Sequence, residues 1–134
     1  MFTHDSAVRL YHTDAAGRLF FGHAFFLAHD AFEAFAERAG LGVGRLLTEA
    51  PYLLPVVHAE ADYARPLGVD GGVKVRVECE RIGDSSFTLR YAIAGGDGAV
   101  RCTLRMVHVA IDKRTGAAQP LPAEVRTALA GLAR

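Results

Sequence analysis

The sequence predicts an α+β protein in which a five-stranded antiparallel sheet lies against one long apolar helix, with a short helix near the C-terminus. Three observations carry the prediction. Within residues 20–39, Phe25, Ala28, Phe32, Phe35 and Ala39 recur at helical spacing. Over residues 73–80, Val73, Val75, Val77 and Cys79 alternate with Lys74, Arg76, Glu78 and Glu80, the pattern of a strand with one buried and one wet face. Gly95-Gly96-Asp97-Gly98 then supplies a hairpin turn between two further apolar segments.

The elements follow in order. Ala7-Val8-Arg9-Leu10-Tyr11 alternates weakly and reads as a short first strand, followed by the turn-like Thr13-Asp14-Ala15-Ala16-Gly17. The long helix has a narrow polar stripe of Asp30, Glu33 and Glu37, so it should be buried on several sides, and Gly40 can stop it. Its phenylalanines read first as core packing. Gly40-Leu41-Gly42-Val43-Gly44 lacks the flanking strand and lysine of a phosphate loop and reads as a flexible turn. Residues 56–63 form the next strand, ended by Arg65-Pro66-Leu67-Gly68. Phe87, Leu89, Tyr91 and Ile93 mark another, and Cys102, Leu104 and Met106 lie in a last long strand running to about Ile111. Asp112-Lys113-Arg114-Thr115-Gly116 is a turn, and the spacing of Val125, Leu129 and Leu132 after Pro122 gives a terminal helix. One helix covers such a sheet incompletely, which points to dimerisation.

Composition narrows the function. A chain of 134 residues, 51% hydrophobic, fits a single domain over residues 1–134. Lys+Arg and Asp+Glu both total 15, so the basic excess of a general nucleic-acid binder is missing. Cys79 and Cys102 are too few for a disulfide framework or a four-thiolate metal site and read as buried free thiols. Met1-Phe2-Thr3-His4-Asp5 has neither the basic region nor the apolar core of a secretory signal, and no run approaches the roughly 18 apolar residues of a membrane span. The expectation is a soluble cytoplasmic protein without membrane partners.

Asp14 is the foremost candidate for chemistry. It lies between the first strand and the apolar helix, beside Leu19, Phe20 and Phe21. A helix start offers unpaired N–H groups that can hold a developing oxyanion, and a carboxylate beside them in an apolar slot suits acyl transfer. The plainer reading is that Asp14 caps a turn. His12, His23 and His29 fall near the same turn and helix, without the spacing of a helical zinc site. His58 alternates with Glu60 and Asp62 on a polar strand face, and His4 and His108 have no visible constellation. Arg76, Arg90, Arg101 and Arg105 sit on polar strand faces, where solvated side chains are the common outcome.

The run Tyr11-His12-Thr13-Asp14-Ala15-Ala16-Gly17-Arg18-Leu19-Phe20-Phe21 resembles the signature of the 4-hydroxybenzoyl-CoA thioesterase family, whose hotdog fold wraps a sheet around one long helix. Asp62-Tyr63-Ala64-Arg65-Pro66-Leu67 resembles the family's strand that ends in a proline. Arg81-Ile82-Gly83-Asp84-Ser85-Ser86-Phe87 resembles its turn between central strands. Asp112-Lys113-Arg114-Thr115-Gly116 with Leu121-Pro122 resembles its ending, so the resemblance spans about residues 7–126. Thr13-Asp14-Ala15-Ala16-Gly17, Phe20-Phe21 and His29-Asp30-Ala31-Phe32-Glu33 are most similar to the branch that hydrolyses 1,4-dihydroxy-2-naphthoyl-CoA. A branch active on short-chain acyl-CoAs carries a histidine where this chain has Phe21. His12 departs from the family pattern, and Gly83-Asp84-Ser85 lacks the basic cluster that some members use near the CoA nucleotide.

The resemblance implies an acyl-CoA thioesterase that releases a free acid and CoA, with Asp14 as nucleophile or general base and the Phe21 backbone N–H polarising the thioester carbonyl. Gly17, Phe20 and His29 fall on the substrate side. Phe20 and His29 would line the acyl pocket, with His29 placed to hydrogen-bond a ring hydroxyl. Ser85, Ser86 and Arg90 would contact pantetheine or phosphate. No metal or prosthetic group is implied, since coenzyme A is part of the substrate. The site would lie at a subunit interface of a homodimer or homotetramer. The alternatives are a hotdog acyl-CoA hydratase or dehydratase and a non-catalytic acyl-CoA-binding protein, because a fold by itself does not settle function.

Overall fold

The computed structural model describes residues 1–69 and 71–133. The strands are β1 (Phe2–Ala7), β2 (Tyr52–Leu53), β3 (Val56–Tyr63), β4 (Gly72–Ile82), β5 (Ser86–Ala94), β6 (Val100–Val109) and β7 (Ile111–Asp112). The helices are α1 (Ala24–Arg38), α2 (Val43–Thr48) and α3 (Ala123–Ala130), and single 3-10 turns occupy Leu10–His12 and Phe21–His23. The main sheet has five strands in the order β1-β4-β5-β6-β3, and each neighbouring pair is antiparallel. This is the expected α+β hotdog arrangement of one long helix on a five-stranded sheet with a short C-terminal helix.

Side-chain alternation decides which face of the sheet meets α1. Val73, Val75, Val77 and Cys79 of β4 are buried, as are Phe87, Leu89, Tyr91 and Ile93 of β5 and Cys102, Leu104, Met106 and His108 of β6. Against them α1 presents Ala24, Leu27, Ala28, Ala31, Phe32, Phe35 and Ala36, one stripe of a 3.6-residue repeat. Its alanines let the helix sit close to the sheet, and fully buried Leu27 alone contributes about 2 kcal/mol of apolar burial. The helix stops at Gly40, whose φ of +80° suits glycine. Beyond it, Leu41 N–H reaches back to Ala36 O at 2.7 Å and the Leu41 side chain enters the core. Both cysteines are buried free thiols, and burial pushes the Cys102 thiol up to about 11.

Four local expectations are corrected. The first strand is Phe2–Ala7 rather than residues 7–11; Leu10 and Tyr11 lie in a 3-10 turn, 80% and 75% exposed. Pairing with β4 makes this strand, including an Asp5–Lys74 ion pair at 2.7 Å, and its polar residues conceal it from an apolar-alternation test. The long helix begins at Ala24, because residues Phe21–His23 form the 3-10 turn, and its outer side is open, with Phe26 59% exposed. The glycine-rich turn leads into α2, which the sequence conceals behind Gly42 and Gly44. Lys113 Nζ caps this helix from across the fold by donating to Leu46 O at 2.8 Å and Leu47 O at 3.1 Å. Finally, the last long strand breaks at Ala110, whose N–H turns to Ser85 O at 2.8 Å, and β7 pairs with β2 as a separate ribbon.

Candidate active site

Residues 13–19 fold back on themselves. Thr13 and Leu19 form an antiparallel bridge, Asp14 N–H donates to Arg18 O at 2.7 Å, and Gly17 N–H donates to Asp14 O at 3.0 Å. Gly17 has φ +76°, where a side chain would cost about 1 kcal/mol or more. The Asp14 carboxylate completes the loop: Oδ1 accepts N–H groups of Ala16 at 2.8 Å and Arg18 at 3.2 Å. Asp14 therefore does cap a turn, but with one oxygen only; Oδ2 has no partner among the described residues. The apolar slot expected around it is incomplete within one chain. Asp14 is exposed, and Phe20 and Phe21 are 39% and 65% exposed.

The returning strand is tied down by Leu19 N–H to Leu67 O at 2.7 Å and Phe20 N–H to His12 O at 2.9 Å. The 3-10 turn Phe21–His23 then closes with His23 N–H on Phe20 O at 2.9 Å. As at any helix start, its leading N–H groups have no partner inside the turn, and Phe21 and Gly22 N–H meet no acceptor among the described residues. The Tyr63 hydroxyl, at the end of β3, donates to the Phe21 carbonyl oxygen. A free carboxylate oxygen and a pair of free amides thus stand on neighbouring arms of one small assembly.

Two histidines stitch the arms together. His12 is buried, and Arg9 N–H donates to its Nδ1 at 2.8 Å, so the neutral ring carries its proton on Nε2. Burial, followed by the nearby His23, holds its pKa below the ordinary histidine value. His23 Nδ1 lies 2.9 Å from His12 O. A carbonyl oxygen can only accept, so His23 carries its proton on Nδ1. Its ring packs 5.1 Å from the ring of Phe20 and 5.2 Å from that of Phe26.

The other expected site residues are dispersed within one chain. Gly17 shapes the Asp14 loop and lines an open cavity of about 500 Å³ beside it, together with Arg18, Leu67, Gly95, Asp97 and Arg101. Phe20 packs on Phe21 with ring centroids 4.5 Å apart. His29 sits half-exposed further along α1, 3.9 Å from Glu33 and 5.4 Å from the Phe32 ring. Ser85 and Ser86 lie at the start of β5, whereas residues 95–97 beside the Asp14 loop follow its end. The nine residues of β5 separate the two ends by roughly 26 Å. Arg90 is on the outer sheet face, 3.3 Å from Glu80, in a ladder that continues through Arg105 to Glu60 and His58. Tyr63 and the His12–His23 contact are the site features that sequence reasoning missed. Both depend on pairing across the fold, although the clustering of His12 and His23 near the turn was visible.

Residues 8–129 match the thioesterase-like superfamily. The chain belongs to that superfamily. A 1,4-dihydroxy-2-naphthoyl-CoA hydrolase from Gloeothece citriformis is 33% identical over 109 residues, covering 78% of this chain and 75% of the relative. One of the same name from Nostoc punctiforme is 29% identical over 124 residues, covering 92% and 83%. The crystal structure of a 1,4-dihydroxy-2-naphthoyl-CoA thioesterase from Synechocystis superposes with a TM-score of 0.90 at 25% identity, covering 98% of this chain and 96% of that one. The resemblance drawn from Asp14 and its flanking motif is therefore borne out in family, fold and enzyme class. The thioesterase-like chain has no helix, among the described residues, long and apolar enough to cross a membrane.

Proposed function

We propose that the protein hydrolyses an aromatic acyl-CoA thioester to the free acid and CoA, with 1,4-dihydroxy-2-naphthoyl-CoA as the first candidate substrate, in the cytoplasm and without a metal or prosthetic group. The observation that carries this reading is the division of labour within Asp14: Oδ1 is spent on Ala16 and Arg18 N–H, while Oδ2 is free among the described residues, on an arm that the His12 carbonyl ties to the turn with unpaired Phe21 and Gly22 amides. Oδ2 either accepts a proton from an attacking water or itself attacks the thioester carbon. In the hydrolysis, water oxygen bonds to that carbon, the C–S bond breaks, and the sulfur leaves with the electron pair and is protonated to the thiol. The Phe21 N–H polarises the carbonyl and holds the oxyanion as it forms. Because the Phe21 donor is backbone, replacing its side chain does not test it. The relatives named above support the aromatic acyl group, as does the absence of a histidine at Phe21.

The working unit in this reading is a homodimer, or a homotetramer built from dimers. Strand β3 is one of the two sheet edges, and nearly all its residues are exposed, Val57 at 60% and Tyr63 at 47% among them. A long edge with apolar side chains invites pairing with a second copy. Such pairing would bring apolar surface to Phe20, Phe21 and Phe26 and supply the enclosure one chain lacks. It would also offer the partner's copies of Ser85, Ser86 and Arg90 as contacts for the pantetheine or phosphate. The test is free-thiol release from a panel of aromatic and aliphatic acyl-CoAs. Preferred turnover of the dihydroxynaphthoyl thioester supports the proposal. Release from aliphatic members alone refutes the aromatic assignment. Hydration of an enoyl-CoA without CoA release, or binding without turnover, refutes thioester hydrolysis.

A further inference from the structure

We infer that His23 is a positioning residue for this reaction, a latch that fixes the Asp14 arm against the oxyanion turn through the His12 carbonyl. The inference rests on the thioesterase reading and deepens it. The His12 carbonyl oxygen accepts two donors, Phe20 N–H at 2.9 Å and His23 Nδ1–H at 2.9 Å. These donors flank Phe21 and Gly22, the residues with the unpaired amides. The acceptor is the peptide two residues before Asp14. One oxygen is therefore gripped from both sides of the amide pair, and the peptide it belongs to leads directly into the catalytic loop.

Each partner in the latch is itself held. His12 is 6% exposed and its ring receives Arg9 N–H on Nδ1, so its peptide is anchored from the side-chain end as well. The His23 ring is wedged between Phe20 and Phe26 and lies 6.2 Å from the His12 ring. His23 also sits where the 3-10 turn becomes α1, yet its side chain makes no cap to either helix. Its side-chain hydrogen bond goes across to the other arm, which is what a positioning role requires and a helix-capping role does not. Because displacement of reacting groups by about 1 Å can cost roughly 10²-fold in rate, a bond that sets the carboxylate-to-amide separation acts on kcat.

Two substitutions separate the latch from other roles. Asparagine places an amide N–H where the histidine carries Nδ1–H but has nothing in place of Nε2; alanine removes both. His23→Ala is expected to lower kcat about 10- to 100-fold with KM within about threefold, and His23→Asn to restore most of it. The tautomers give a readout independent of turnover: imidazole 15N spectra should show His23 protonated on Nδ1 and His12 protonated on Nε2. Wild-type kcat in the alanine variant overturns the latch. So does an asparagine variant as slow as alanine, which would assign the effect to Nε2 instead, and so does an Nε2–H tautomer at His23. A wild-type protein that turns over no thioester overturns the underlying activity, and the tautomers then decide the latch alone.

Discussion

Replacing Asp14 with asparagine separates the structural and chemical duties of its carboxylate. The asparagine side-chain oxygen can still accept from Ala16 N–H and Arg18 N–H, the bonds Oδ1 makes at 2.8 Å and 3.2 Å. The loop should then keep its shape, and the melting temperature should stay within about 2 °C of wild type. What disappears is the charge at Oδ2, and with it the proton acceptor or nucleophile, so kcat should fall about 10²- to 10⁴-fold. Asp14→Ala is the counterpart. It strips both amides of their acceptor, a loss comparable to deleting a capping side chain, about 1 kcal/mol. For a chain of 134 residues that is a drop of roughly 3–5 °C, on top of the same catalytic loss. Thiol release on the preferred acyl-CoA and calorimetry on both variants make the assay. An asparagine variant that keeps a third or more of the wild-type kcat would refute the chemical role. One that melts as low as the alanine variant would refute the reading of Oδ1.

Other outcomes follow from the same structure. Val57→Lys on the exposed β3 edge should convert the assembly to monomers by sedimentation and abolish thioester turnover; an active dimer would contradict the interface assignment. His108 is buried and stacked between Phe87 at 4.7 Å and Phe32 at 5.0 Å, and burial lowers its pKa. Its folded value lies below its ordinary value of 6.5, so the stability it contributes is complete above that pH and is withdrawn as pH falls towards the folded value. The melting temperature should therefore decline from pH 7 to about 5.5, and less steeply in His108→Phe; an identical decline would show that His108 is not responsible. Lys113→Met should leave the C-terminal carbonyls of α2 uncapped and raise amide exchange over Val43–Thr48 more than in the main sheet, whereas unchanged exchange there would mean the cap does not hold α2.

Much of this protein is written into local periodicity. The alternation of Val73, Val75, Val77 and Cys79, and of Phe87, Leu89, Tyr91 and Ile93, determines which strand face is buried, because successive side chains must point to opposite sides. The spacing within α1 determines the stripe laid on that face, and Gly40 determines its end. The motif around Asp14 was legible because a tight loop needs Gly17 and a carboxylate that satisfies its own amides. Other features became visible only in three dimensions. Strand β1 exists because Asp5 and its neighbours find β4, and α2 exists although Gly44 disfavours helix, because Lys113 and the packing of Leu46 on the core hold it. The sequence shows only that His12 and His23 lie near the same turn; they become a latch because chain reversal at residues 13–19 carries a carbonyl of one arm to an imidazole of the other. Hydrogen bonds between separate segments leave no periodic trace in the sequence, so the tertiary structure alone decided how the Asp14 arm is tied to the Phe21–His23 turn.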